Sequence, residues 1–225
     1  MQIHIPFHWT LRTWVGRSPL LFNAVFGSIN DGERLARADS GLVIEGFPRS
    51  ANSFSVFAFL NAGAGGLKIA HHVHSPSQII TAARYRLPAV LVIRAPDDAV
   101  AAGLAKIATH TAPDLLRAYF LYYRFLAPMR EHYVVAPFET VTTDFGRIVD
   151  AVNRRFGTSF DPIHADRHTQ LSKEFHALER FKALSATTAL VRDTPSPPNY
   201  HGPMADRARA EHSRFLELAR DDDTV

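Results

Sequence analysis

The chain has 225 residues, 46% of them apolar, no cysteine, and a formal charge of +3 with a pI near 9.4. That is enough apolar mass for one α/β domain with a substantial core. The lack of cysteine excludes disulfides, thiol catalysis and thiolate metal sites, and no stretch reaches the length of a membrane span. Mild basicity favours an anionic small molecule or an acidic surface; with four lysines, twenty-one arginines and no dense basic tract, nucleic acid is not an expected partner.

Residues 1–40 read as an N-terminal arm followed by a helix near 20–38. The first 22 residues lack the basic start, apolar stretch and small-residue cleavage site of a secretory leader, which makes a cytoplasmic location the default expectation. Trp9, Trp14, Leu20, Leu21, Phe22 and Phe26 could meet a membrane interface or a partner's groove. Capping the core is the commoner fate of such residues and the one expected here.

Leu42, Val43 and Ile44 have the composition of a strand buried on both faces. Gly46, Pro48, Ser50, Asn52 and Ser53 then crowd turn formers and small side chains into one loop. Apolar spacing from Phe54 to Leu60 predicts a helix, with Ser50, Asn52 or Ser53 as its N-cap. A strand, a tight loop and a helix start make an anion site, because the first helical N–H groups point at the loop and the macrodipole adds positive charge there. Arg49 lies inside the loop, where its fork could grip a phosphate or sulfate with two parallel bonds. The same residues would also build an ordinary strand–turn–helix carrying a solvated arginine. Neither the Gly-Lys-Ser/Thr triplet of a Walker loop nor a spaced-glycine dinucleotide fingerprint is present.

Residues 61–66 predict a glycine-rich turn and 67–71 a second strand, which His72-Val73-His74 carries to its end. Strand alternation would place His72 and His74 on one face. Ser75 and Pro76 supply an N-cap and a first-turn proline for a helix over 77–86. Ala89-Val90-Leu91-Val92-Ile93 is the clearest buried strand; Arg94 follows it, and Pro96-Asp97-Asp98 opens a helix to about residue 109. Pro113 opens what reads as the longest helix, 114–130, whose aromatics mark a core element rather than a cofactor box. A fourth strand over 133–136 and a helix over 143–156, closed by Gly157, follow. Helices are expected over 171–184 and 205–220. Residues 193–203, with four prolines, read as a surface loop or lid between them.

Strands alternating with helices define the expected fold class: α/β, a parallel sheet of about four to five strands wound with helices on both faces. Residues 41–160 form the α/β core of this expectation and 161–225 a helical C-terminal part of the same domain. Ligands of such sheets sit beyond the carboxyl ends of the strands, where the Arg49 loop, the His72/His74 pair and Arg94 all fall.

These motifs, in this order, resemble the sulfotransferase family. The family's first loop reads approximately Pro-Lys-Ser-Gly-Thr-Thr-Trp, and Pro48-Arg49-Ser50-Ala51-Asn52-Ser53-Phe54 follows it position by position. Its second strand ends in Lys-Thr-His-x-Pro, similar to His72-Val73-His74-Ser75-Pro76. Its third motif, a buried strand followed by Arg-x-Pro-x-Asp, is matched by Val92-Ile93-Arg94-Ala95-Pro96-Asp97-Asp98, and Phe138-Glu139 is a weaker fourth echo. The departures are Ala102 for a serine that binds the nucleotide 3′-phosphate, Ala51 for a loop glycine, and no C-terminal Arg-Lys-Gly, for which Arg192 and Arg207 are the candidate substitutes.

The resemblance implies a P-loop NTPase-like fold and transfer of a sulfuryl group from 3′-phosphoadenosine 5′-phosphosulfate to an acceptor hydroxyl, of a carbohydrate or small metabolite, without a metal. It implies His74 as the base and Arg49 as the residue facing the leaving phosphate. Pro48, Arg49, Ser50, Ala51, Asn52, Ser53 and Arg94 would hold the nucleotide. Beside it stand a catalytically degenerate binding or assembly protein that keeps the fold, and a nucleotide-dependent phosphotransferase. For single residues the alternatives are structural histidines, a metal held by His71, His72 and His74, and an Arg94 paired with Asp97 or Asp98.

Overall fold

The computed structural model describes residues 8–27, 34–106, 110–185 and 199–224. Four strands, β1 (Leu42–Gly46), β2 (Ile69–His71), β3 (Ala89–Ile93) and β4 (Val134–Pro137), form one parallel sheet in the order β2-β1-β3-β4. Parallel neighbours need crossovers, and helices supply them. α1 (His8–Val15) and α2 (Pro19–Phe26) precede the sheet, α3 (Asn52–Asn61) joins β1 to β2, and α4 (Pro76–Tyr85) joins β2 to β3. α5 (Pro96–Lys106) and α6 (Ala112–Leu126) lead to β4. α7 (Phe138–Thr143), α8 (Phe145–Phe156), α9 (Ala165–Ser185) and α10 (Pro203–Thr224) follow.

Side chains alternate along β1 and β3, so each strand feeds two cores. Val43, Leu91 and Ile93 pack on one face with Phe47, Tyr119, Tyr122, Tyr123 and Phe215. Leu42, Ile44, Val90 and Val92 pack on the other with Phe54, Phe59, Phe145 and Val149. The chain steps to β2 on one side of β1 and to β3 on the other, so the sheet reverses direction between β1 and β3. A crevice opens at that switch point, beyond Gly46 and Ile93.

α6 braces that crevice. Its tyrosines are fully buried core residues, as expected, and the hydroxyls of Tyr119 and Tyr123 also tie the strand ends together. Tyr123 donates to Val92 O at 2.9 Å and accepts from Phe47 N at 3.3 Å, and Tyr119 donates to Arg94 O at 2.7 Å.

Several expected boundaries differ. Among the described residues the arm forms two short helices, the second started where Ser18 caps it with Pro19 in its first turn, and residues 34–38 are not helical; residues 28–33 of the helix expected over 20–38 lie outside the described residues. Trp9 and Phe22 cap the core as expected, whereas Trp14 is 52% and Leu20 76% exposed. α6 has 15 residues, against 21 for α9 and 22 for α10, so it is not the longest helix. The helix expected over 143–156 starts at Phe145, past a break at Asp144 that separates it from the short α7, and ends at Gly157 with φ 64°. Of the proline-rich segment, residues 193–198 lie outside the described residues, as does Arg192. Among the described residues no helix is long and apolar enough to cross a membrane.

Gly46 ends β1 where β3 runs closest: a Cβ there would sit 2.3 Å from the backbone oxygen of Val92. Backbone inside a sheet cannot step aside as a side chain can. Gly46→Ala is therefore expected to destabilise the fold by about 3 kcal/mol, the upper end for overpacking. A loss of unfolding free energy in urea smaller than about 1 kcal/mol would contradict the packing described.

Candidate active site

Past Gly46 the chain turns sharply, and Arg49 and Ala51 adopt left-handed backbone at φ 70° and 72°. Such angles are unfavourable for non-glycine residues and concentrate at functional loops. Of five non-glycine residues with positive φ among those described, four border the crevice: Arg49, Ala51, His72 and His74. Asn52 closes the loop by donating its amide to Phe47 O at 3.2 Å.

The N-cap of α3 is Ala51, so the expected side-chain cap from Ser50, Asn52 or Ser53 does not form. The first helical bond runs from Ser55 N to Ala51 O, which leaves the N–H groups of Asn52, Ser53 and Phe54 ahead of the hydrogen-bonded ladder. These groups and the helix macrodipole make the loop receptive to an anion.

Arg94, one residue beyond β3, reaches across to this loop. Its guanidinium donates to Arg49 O at 3.0 Å and lies 4.3 Å from the centroid of the Phe138 ring. Its Nε is buried and has no acceptor among the described residues. The alternative pairing of Arg94 with Asp97 is not what the structure contains: Asp97 takes Arg209 of α10 at 2.8 Å through both carboxylate oxygens.

The histidines follow a shorter strand than expected. β2 stops at His71, and His72 and His74 turn left-handed at φ 58° and 53°, so strand alternation does not relate them. They still meet, with ring centroids 5.7 Å apart. What holds the turn is Glu45, a fully buried carboxylate in mid-β1 that accepts from Val73 N at 2.6 Å and His74 N at 3.0 Å. Burial pushes its carboxyl up to about 8, against the opposing pull of those N–H groups and of Arg12. Arg12, from α1, donates to Val73 O at 2.7 Å and stacks on Phe22 and Phe26.

His74 Nδ1 lies 3.0 Å from Gly46 O; a carbonyl can only accept, so Nδ1 carries the proton and Nε2 is bare. Burial pushes this imidazole down to about 4, with Arg12 and Arg49 acting in the same direction, so it is neutral near pH 7. His72 Nε2 lies 2.8 Å from Ser53 Oγ, and its Nδ1 lies 2.7 Å from His71 Nδ1.

Pro48, Arg49, Ala51, Asn52, Ser53, His72, His74 and Arg94 line one cavity of about 570 Å³. Ser50 does not: it is fully buried behind the loop beside Tyr123. Trp9, His110 and Lys106 form one end of the cavity wall, and Phe54, Phe138, Phe175 and His176 another stretch of it. Among the described residues no group of three or more His, Cys, Asp or Glu side chains is arranged to hold a metal ion.

Sequence reasoning missed Glu45 and Arg12. A lone carboxylate inside an apolar strand was the available signal, because a buried charge demands partners. Nothing in the sequence marked Trp9 or Phe175 as neighbours of the loop. Comparison with family models, curated proteins and solved structures found no match to the chain.

Proposed function

We propose that the chain is a sulfotransferase of P-loop-like fold, moving a sulfuryl group from 3′-phosphoadenosine 5′-phosphosulfate to an acceptor hydroxyl. The observation that carries this reading is the convergence of Arg49, Arg94, the uncapped start of α3 and a bare imidazole nitrogen on one cavity at the switch point. Sulfuryl transfer, like phosphoryl transfer, asks chiefly for in-line placement and charge stabilisation. Arg49 and the N–H groups of Asn52, Ser53 and Phe54 meet the charge that grows on the departing phosphate. His74 Nε2 takes the acceptor's proton, and Arg94, with its orphaned Nε, holds the nucleotide 3′-phosphate.

One observation favours a second reading, a binding or assembly protein of the same fold without catalysis. Ala102 is buried in α5 and offers no hydroxyl for a 3′-phosphate, and Arg207 does not line the cavity.

The nucleotide reading has a direct test. At about a hundredfold excess over Kd, adenosine 3′,5′-bisphosphate is expected to raise Tm by about 5–10 °C in a chain of this size. Arg49→Ala abolishes the rise. An unchanged Tm at millimolar nucleotide removes both the enzyme and the nucleotide-binding form of the second reading. A shift without transfer to any hydroxyl acceptor leaves the second.

A further inference from the structure

Nucleotide transfer leaves one constellation in the cavity without a task. Ser53, in the first turn of α3, lies 2.8 Å from His72 Nε2, and His72 Nδ1 lies 2.7 Å from His71 Nδ1. Hydroxyl, imidazole and imidazole thus form one continuous chain ending in the cavity, where Ser53 and His72 are both lining residues. Only one proton fits between the two Nδ1 atoms. With it on His72, that ring donates to His71 and presents a bare Nε2 to the serine. His72 holds this position in left-handed backbone at φ 58°, on the turn that Glu45 pins.

We propose that Ser53 is a nucleophile toward activated acyl esters, with His72 as its general base and His71 as the positioning residue that fixes the His72 tautomer. Ser53 Oγ attacks the ester carbonyl carbon while its proton passes to His72 Nε2. The tetrahedral adduct collapses, the bond to the leaving alcohol breaks, and His72 returns the proton to that alcohol. Water, deprotonated by the same nitrogen, then cleaves the acyl-serine, so ester and water become acid and alcohol and the serine is restored. The N–H groups of Ser53 and Phe54, free of the helical ladder, are donors for the carbonyl oxygen as it takes charge. The aromatic wall of Phe54 and Phe175 suits an apolar acyl chain. This activity needs no nucleotide and stands or falls separately from the transferase reading.

Fluorophosphonate tests the nucleophile directly, since an activated serine displaces fluoride and keeps the phosphonyl group. Intact mass and peptide mapping are expected to show one adduct, on Ser53, absent in Ser53→Ala. In parallel, 4-nitrophenyl butyrate is expected to release nitrophenolate with the same dependence on Ser53. His72→Asn, chosen because asparagine tolerates left-handed backbone, slows labelling by about 100-fold or more, the ordinary scale of base catalysis. His71→Ala slows it about tenfold, and His71→Asn, whose amide oxygen can accept the same proton, restores it, which a purely structural role for His71 would not produce. No adduct, an adduct on another residue, no ester turnover, or labelling of His72→Asn within threefold of the wild-type rate overturns the proposal.

Discussion

Glu45→Leu is expected to lower the stability of the fold by about 2–6 kcal/mol, the sum of a buried and a part-buried N–H group left without an acceptor at about 1–3 kcal/mol each. The carboxylate is completely enclosed, and it is the group that takes the backbone N–H of both Val73 and His74. Leucine fits the apolar habit of β1 and fills similar space, so lost packing contributes little and the orphaned donors dominate. A second loss is local. The left-handed angles at His72 and His74 are each unfavourable by about 1–3 kcal/mol and persist only where surrounding bonds impose them. Without Glu45 the turn relaxes and the His74–Gly46 bond opens. Urea unfolding measures the first effect; protection of the amides of residues 71–75 against hydrogen exchange measures the second. A midpoint within experimental error of wild type would show that Glu45 is a passenger.

The same carboxyl sets a signed pH dependence. Its folded value, about 8, lies above the ordinary carboxyl value of 4.5, so the folded state holds the proton more tightly. That contribution is full below about 4.5 and is lost as pH rises through 8. His74 runs the other way: with a folded value near 4 against 6.5, its contribution is full above 6.5 and is lost as pH falls toward 4. Between 4.5 and 6.5 the two slopes oppose each other, and from 6.5 to 8 the Glu45 slope stands alone. Stability is therefore expected to fall across that upper window in wild type and to stay level there in Glu45→Leu.

The sequence made the framework legible because its signals were local. β3 occupies the residues its β-branched run predicts, and α4 begins at the cap and proline that predict it. Gly157 closes α8 for the same kind of reason, a turn that favours positive φ. The ends of β1 and β3 could be named as the rim of a crevice because the strand order of a parallel sheet places one beyond its carboxyl ends. What could not be read depended on contacts between distant residues. β2 stops at His71 because Glu45, 29 positions before His74, captures the following backbone. The tyrosines of α6 were legible as core, but not as the clamps that hold Phe47 and Arg94, since a hydroxyl's partner is set by tertiary geometry. Trp9 is held at the cavity by partners far along the chain: Asp114, at the start of α6, accepts from the backbone N–H groups of Trp9 and Thr10, and His110 accepts from its indole. The Ser53–His72–His71 chain depends on the left-handed backbone of His72, which no propensity scale places there.

On the proposed sulfotransferase reading, His74→Asn is expected to reduce sulfuryl transfer by about 10²–10⁴-fold while leaving the nucleotide-induced rise in Tm in place, the scale of a lost general base. Asparagine tolerates the φ of 53° and its amide can replace the Nδ1–H bond to Gly46 O, so the turn survives and only the bare nitrogen disappears. The pH profile separates this role from a structural one. An imidazole of ordinary basicity would lose its lone pair below about 6.5, whereas burial holds His74 neutral down to about 4. The acid limb of kcat/KM in wild type should accordingly fall near 4, and the limb should vanish in the variant together with most of the rate. Depressed basicity also weakens the pull on the acceptor's proton, so alcohols of low pKa, phenols above all, should be turned over faster than aliphatic ones. An acid limb at 6.5, or a variant within tenfold of wild type, would take the base from His74 and leave its bond to Gly46 as a support for the end of β1.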